Sequence, residues 1–420
     1  MKPRPRQRLF CRVLMLSAVT AMFAAQAVRA DESVAGSPRA SWSPDSSKVA
    51  FILSGQSGSD RLYVADSDGS DVRPILEGDR FQAAAWAPNG AHLAVASAPA
   101  GSGAVVHVTD AGGESCKTIE LGRTARDLTV GWSTDSTRII LQSDRSILLV
   151  RLEDEAVDSL DYARPAVLRA FFAGSSPLAP DNKLLLAAGP VDVLSWTFGY
   201  RPVPTDETSD DDDLHLWLVK VEGSRHSLPV MQYGRLAGPP VWTPNGRAIA
   251  FVTETPPEDP TIRRATPRLW MNMVGEVGTL LIRPVQMLNP ISPTPVWSPA
   301  GTDVAYFWRD PTGRTLLNTV NMVFTSVVPL QERLKRVLFA AWKEPTTMFL
   351  VATTIDDDTI CSTLDLLSGE LTRLSTLTVP FDCLTPSPDL SKLLLETVQG
   401  ETPMFEIYDV GTGHTVQIVR

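Results

Sequence analysis

Apolar runs of three to six residues, each broken by a polar turn rich in Gly, Pro, Asp and Asn, recur from about residue 38 to the C-terminus. Runs this short predict strands, and no stretch carries the 3.6-residue periodicity of a long amphipathic helix. The clearest unit is Ala40-Ser41-Trp42, the turn Ser43-Pro44-Asp45-Ser46 and a second run from Val49 to Leu53. Arg61 to Ala65 and Val72 to Leu76 complete it, joined by the hairpin loop Asp66-Ser67-Asp68-Gly69-Ser70. Asp caps such a loop through its side chain, and Gly takes the positive φ that the corner needs.

The same four strands are predicted in later repeats. Repeat two has Ala83 to Trp86, His92 to Ala96, Val105 to Thr109 and Cys116 to Glu120; repeat three has Leu128 to Trp132, Arg138 to Gln142, Ile147 to Arg151 and Val157 to Leu160. Repeat four has lost its Trp but keeps the turn Ala179-Pro180-Asp181-Asn182 before Lys183 to Leu186, with a third strand from Leu214 to Val219. Repeat five opens near Pro240 with Trp242-Thr243-Pro244-Asn245-Gly246 and contains Leu269-Trp270-Met271. Repeat six has Pro295-Val296-Trp297, a turn kept recognisable by Pro299 and Gly301, then Val304 to Trp308, Leu316 to Val320 and Val327 to Leu330. In repeat seven, Val337 to Trp342, Met348 to Ala352, Ile360 to Leu366 and Leu371 to Leu374 keep Trp342 but replace the turn with Lys343-Glu344-Pro345-Thr346. Repeat eight has Pro386-Ser387-Pro388-Asp389, Leu393 to Leu395, Phe405 to Tyr408 and a last strand from Val416 to Val419 that ends at the C-terminus.

Four strands at a pitch of about 45 residues match one propeller blade. The chain is therefore expected to be all-β, a β-propeller of four-stranded antiparallel blades over 38–420, eight by direct count. Repeats four and seven are degenerate, so six or seven blades plus an irregular segment also fit. Closing the ring needs its first and last blades to meet. Trp42, Pro44, Asp45, Trp86, Pro88, Trp132, Pro180, Asp181, Trp242, Pro244, Trp297, Pro299, Trp342, Pro388 and Asp389 read as structural repeat residues. Pro presets φ, Asp or Asn accepts local backbone bonds, and each Trp packs between blades with its indole N–H on an acceptor near the turn.

Two repeats are interrupted between their second and third strands. The insertion at about 189–213 carries Trp196, Phe198 and Tyr200 and the acidic run Asp206, Glu207, Asp210, Asp211, Asp212 and Asp213. The insertion at about 254–268 carries Pro256, Pro257, Glu258, Asp259 and Pro260, then Arg263, Arg264 and Arg268. Because both leave the same hairpin of adjacent blades, they share a face. Loops on a rigid scaffold carry binding, so these residues form a candidate partner-binding rim. The competing reading is a solvated acidic loop neutralised by the neighbouring arginines.

Composition adds a compartment. Lys2, Arg4, Arg6, Arg8 and Arg12 precede an apolar run from Val13 to Ala25 and small residues ending Val28-Arg29-Ala30, the pattern of a secretory signal peptide over 1–30. The run is short for a bilayer span, although a retained anchor is the alternative. Residues 31–37 are then a short N-terminal segment. Removing 1–30 takes away six basic and no acidic residues, leaving 32 Lys plus Arg against 48 Asp plus Glu, a net charge of −16. That field disfavours nucleic acid and anionic membranes and favours solubility and cationic partners. Cys116, Cys361 and Cys383 remain; Cys361 and Cys383 could pair in an oxidising compartment, with two buried free thiols as the alternative.

The pattern Trp42-Ser43-Pro44-Asp45, with Trp86-Ala87-Pro88-Asn89-Gly90, Trp242-Thr243-Pro244-Asn245-Gly246 and Tyr63-Val64-Ala65-Asp66-Ser67-Asp68-Gly69, resembles the propeller repeat of the TolB family over about 38–420. The resemblance implies a propeller of the bacterial envelope. The family's N-terminal α/β domain has no counterpart here, because the first repeat starts within ten residues of the expected cleavage site. The same repeat also occurs in propellers of prolyl-oligopeptidase-like enzymes, so the motif speaks for fold rather than function.

No catalytic constellation is expected. His92, His107, His215, His226 and His414 are scattered through three repeats, and there is no Gly-x-Ser-x-Gly elbow. Asp66 to Asp71 with Glu77 superficially resembles a calcium loop, but its Gly is at the fourth position and the segment is a β-hairpin. No cofactor is expected, with calcium at the acidic run as an alternative. The expectation is a periplasmic or secreted, monomeric, non-catalytic interaction or scaffold module that binds another envelope or secreted protein. The alternatives are an enzyme or substrate-gating propeller acting on glycans or peptides, and a ligand-sensing propeller.

Overall fold

A computed structural model describes residues 28–29, 39–55, 59–125, 128–143, 146–161, 178–189, 215–221, 227–229, 235–236, 240–255, 266–274, 285–286, 291, 294–321, 325–399 and 402–418. Among them there is no helix, and the strands form eight antiparallel sheets taken in chain order. Sheet one is Ala40–Trp42, Lys48–Ser54, Asp60–Asp66 and Arg73–Gly78, and sheet two is Phe81–Trp86, His92–Ser97, Val105–Asp110 and Cys116–Glu120. Sheet three is Thr129–Trp132, Arg138–Gln142, Ser146–Arg151 and Val157–Asp161. Strands extend a residue or two beyond their apolar runs because the ladder continues through polar ends such as Lys48 opposite Asp66.

Sheet four holds Leu184–Gly189, His215–Lys220 and Ser227–Pro229, and the place of its first strand is taken by a single bridge from Leu178 to Leu185. In sheet five, Ala248–Thr255 pairs with two short pieces, Arg235–Leu236 and Val241–Trp242, and then with Thr266–Met273, which pairs with Val285–Gln286. Pro240 stands directly before Val241–Trp242 and has no N–H to give a ladder.

Sheet six is Val296–Trp297, Val304–Arg309, Thr315–Val320 and Thr325–Pro329. Sheet seven, Leu334–Glu344, Thr347–Thr354, Thr359–Asp365 and Leu371–Leu377, keeps a tight hairpin because Glu344 pairs with Thr347 across Pro345-Thr346. Sheet eight is Cys383–Pro386, Lys392–Gln399, Thr402–Asp409 and Thr415–Gln417, with Val28–Arg29 added beside Cys383–Pro386. Its last strand is Thr415–Gln417, and Val419, the expected end of that strand, lies outside the described residues.

Successive sheets pack face to face through apolar layers. Ala50, Ile52, Leu62 and Val64 of sheet one meet Phe81, Trp86, Leu93 and Val95 of sheet two. Comparable layers join two to three, five to six, six to seven and seven to eight. The ring also closes, because Phe51 of sheet one stacks obliquely on Phe405 of sheet eight at 5.3 Å within a layer shared by Trp42, Val49, Leu394 and Ile407. Of the two readings of the cysteines, the buried thiols hold, because Cys361 and Cys383 lie buried in sheets seven and eight and form no disulfide. One expectation about the second insertion is corrected. Glu254, Thr255 and Arg268, expected in the second insertion, lie in strands, because Glu254 pairs with Pro267 and Thr255 with Thr266 and the hairpin carries on.

Candidate functional site

The repeated turns are the most fully built feature of the ring. In sheet one, Ser46 N donates to Ser43 O at 2.9 Å, and Ser43 N donates to Lys48 O at 2.8 Å. The Ser43 hydroxyl donates to Asp45 Oδ1 at 2.6 Å and accepts Lys48 N at 2.8 Å. Ser133 with Asp135, Thr243 with Asn245 and Ser387 with Asp389 repeat the arrangement, and Ser298 accepts Asp303 N in sheet six. These hydroxyl residues are almost fully buried. The reading from sequence weighted Pro, Asp and Gly; recurrence of Ser or Thr after the Trp position was the signal for this hub.

Each turn also ends in the left-handed region, at Ser46, Ser136, Asn182 and Leu390 as well as at Gly90, Gly246 and Gly301. Neighbouring turns bond to one another. Ser46 Oγ accepts Asp389 N at 3.1 Å, Ser136 Oγ accepts Asn89 N at 3.0 Å, and Asn182 Nδ2 donates to Asp135 Oδ2 at 2.5 Å. For Asp135, burial acts to raise the pKa but is outweighed by bonds from Ser133, Thr137 and Asn182, which bring it down to about 2.

The indoles complete the ring. Trp42 Nε1 donates to Thr385 O, Trp132 to Ala85 O, Trp297 to Val241 O and Trp342 to Val296 O, at 3.0 to 3.3 Å. The acceptor is not in the tryptophan's own turn. It is the residue just before the matching position of the preceding sheet, so each indole ties two first strands together. At the closing seam, Lys392 Nζ adds a bond to Ser67 O at 2.7 Å.

The end of the sheets away from these turns carries the hairpins between second and third strands, and both insertions leave from there. Trp196, Phe198, Tyr200, Asp206, Glu207, Asp210, Asp211, Asp212, Asp213, Arg263 and Arg264 lie outside the described residues. Arg268 sits in the third strand of sheet five, opposite Thr253 and Gln286. Charged groups from the same end elsewhere are matched: Lys335 meets Asp357, and Arg373 meets Glu332 at 3.1 Å and Asp358 at 3.9 Å.

The calcium-like segment is a hairpin whose carboxylates are engaged by protein donors. Asp66 takes Lys48 at 2.5 Å, Asp68 takes Ser70 through N and Oγ, and Glu77 takes Arg61 at 3.1 Å. Among the described residues, no three His, Cys, Asp or Glu side chains converge as metal ligands would. His107 hydrogen-bonds Thr118 at 2.9 Å and lies edge-on to Phe81, and burial lowers its pKa.

No family model and no curated protein matches the chain in sequence. Solved propeller structures do resemble it. The Dos1 propeller is 12% identical with a TM-score of 0.53, covering 92% of this chain and 95% of its own. An oligogalacturonate lyase in complex with manganese is 12% identical with a TM-score of 0.49, covering 88% and 97%. TolB from Acinetobacter baumannii is 11% identical with a TM-score of 0.38, covering 88% and 78%. The likeness to the Dos1 propeller, at 12% identity, speaks for the fold alone, and with the eight antiparallel sheets it makes this chain a β-propeller.

Proposed function

We propose that this chain is an exported, non-catalytic propeller of the TolB-like repeat type that captures a partner protein of the bacterial envelope on the face bearing its two long insertions. One observation carries this reading: the insertions interrupt the same hairpin of adjacent sheets, Leu184–Gly189 with His215–Lys220 and Ala248–Thr255 with Thr266–Met273. The opposite end supports it by contrast, since the turn donors and acceptors there are largely spent on one another. Trp196, Phe198 and Tyr200 supply aromatic anchors, and Asp206 to Asp213 with Arg263 and Arg264 supply charge to steer a partner. The basic and apolar leader over 1–30 supports export.

The test is capture from a native envelope extract. Residues 203–212 are deleted and 256–265 are replaced by a two-residue Asn-Gly turn, which suits the hairpin left between Thr255 and Thr266. Capture is expected to vanish while the thermal midpoint stays within about 2 °C, since surface loops contribute little stability. Undiminished capture would refute the reading.

A further inference from the structure

Sheet eight has one strand more than its repeat requires. Val28 faces Leu384 and Arg29 faces Cys383 in an antiparallel pair, on the free side of Cys383–Pro386. Cys383–Pro386 is the first strand of its sheet, and first strands approach one another around the inside of the ring, as the indole bonds show. The added strand therefore lies on the channel side. It also comes within 8 Å, Cα to Cα, of Leu334–Glu344, the first strand of sheet seven. In sequence, the same two residues stand directly before Ala30, the last residue of the expected leader.

We propose that the end of the leader is a docked strand of the closed ring, so that ring closure slows the removal of residues 1–30. The proposal rests on the leader reading above. Hydrolysis of the Ala30–Asp31 amide by water, giving a carboxylate on Ala30 and an amine on Asp31, needs the flanking backbone extended and free in the protease. In the closed ring that backbone is already paired one residue away. Cleavage then proceeds only through the fraction of molecules in which the strand has come loose. A chain that closes first loses its leader about tenfold more slowly than one that is cut before closure.

The experiment uses the folded full-length chain and trypsin, which cuts after Arg29, one bond before the Ala30–Asp31 amide. Cutting there, followed by mass spectrometry, is compared with a synthetic peptide of residues 22–38. One or two ladder bonds predict cutting about tenfold slower in the folded chain than in the peptide. Main-chain N–H groups alternate in direction along a strand, so one of Val28→Pro and Arg29→Pro removes a ladder bond. That variant is expected to speed hydrogen exchange at whichever of the Cys383 and Leu384 amides faces the added strand, with the thermal midpoint unchanged. Equal cutting rates, or unaltered exchange in both variants, would overturn the proposal. Sequencing the N-terminus of the exported protein tests the leader separately: a first residue other than Asp31 refutes the leader reading and leaves the docked strand to be decided by trypsin and exchange.

Discussion

Replacing Trp42 with Phe attacks the seam where the ring closes. The substitution removes the indole N–H that reaches Thr385 O at 3.0 Å, and both residues are buried, with 5% and 6% of their surface exposed. A lost buried hydrogen bond together with a smaller ring costs about 2 to 3 kcal/mol. Trp132→Phe is the matched control, because its indole bonds Ala85 O at the same 3.0 Å in an internal interface. The local loss is alike, but the seam joins residues 343 apart and the control joins residues 47 apart. Loop-closure entropy makes the longer closure costlier by about 2 kcal/mol, so the seam is expected to form after the rate-limiting step. For Trp42→Phe, the loss should then appear almost wholly as unfolding accelerated about 30- to 150-fold, with refolding unchanged. Trp132→Phe should slow refolding as well. Unfolding and refolding in guanidinium, followed by far-ultraviolet circular dichroism, read both rates. If Trp42→Phe slows refolding as much as Trp132→Phe, or leaves unfolding within about threefold, the seam is not the last contact made.

Other perturbations follow from single sites. Asn272 is fully buried with neither amide atom bonded among the described residues, at the ladder position held by Val150 in sheet three and Val320 in sheet six. Asn272→Val should therefore raise stability by about 1 to 3 kcal/mol in denaturant titration, and a loss would mean that the amide has a role of its own. Gly369→Ala should be much more damaging than Gly313→Ala: both have positive φ, but a Cβ at 369 would overlap the Pro329 carbonyl while one at 313 meets nothing within 4 Å. Comparable thermal midpoints for the two variants would contradict that geometry. Asp110, held chiefly by the Ser115 hydroxyl and by the Glu114, Ser115 and Gly112 amides, and Asp135 are both lowered from 3.8 to about 2. Because the folded-state values are depressed, the stability they contribute is complete above about pH 4 and fades as pH falls toward 2. Asp110→Asn with Asp135→Asn should flatten that part of the stability profile, and an unchanged slope would remove these two carboxylates as its cause.

The propeller was legible because its corners are chemical. Trp42-Ser43-Pro44-Asp45 and its copies predict both strands around each turn, and the boundaries moved only where a ladder runs on through polar ends. Sheet five was harder, since Pro240 stands at the start of Val241–Trp242 and Arg235–Leu236 carries too short a pattern to be noticed. Arg268 was assigned to a loop because arginines and prolines around it hide the pairing of Pro267 with Glu254. Val28–Arg29 could not be seen at all: two residues have no periodicity, and the partner strand lies at the other end of the chain. The candidate rim was visible only as a break in the repeat, because insertions are marked by length and charge rather than by alternation.

The indole bonds have a spectroscopic consequence. Trp42, Trp132, Trp297 and Trp342 each place one N–H proton on a carbonyl across a different interface, whereas the Trp86 indole meets no acceptor among the described residues. In a protein labelled with nitrogen-15 only at tryptophan, those four resonances should lie downfield of that of Trp86 and report on four boundaries one at a time. A partner that pried two blades apart would announce which two by the single peak that moved.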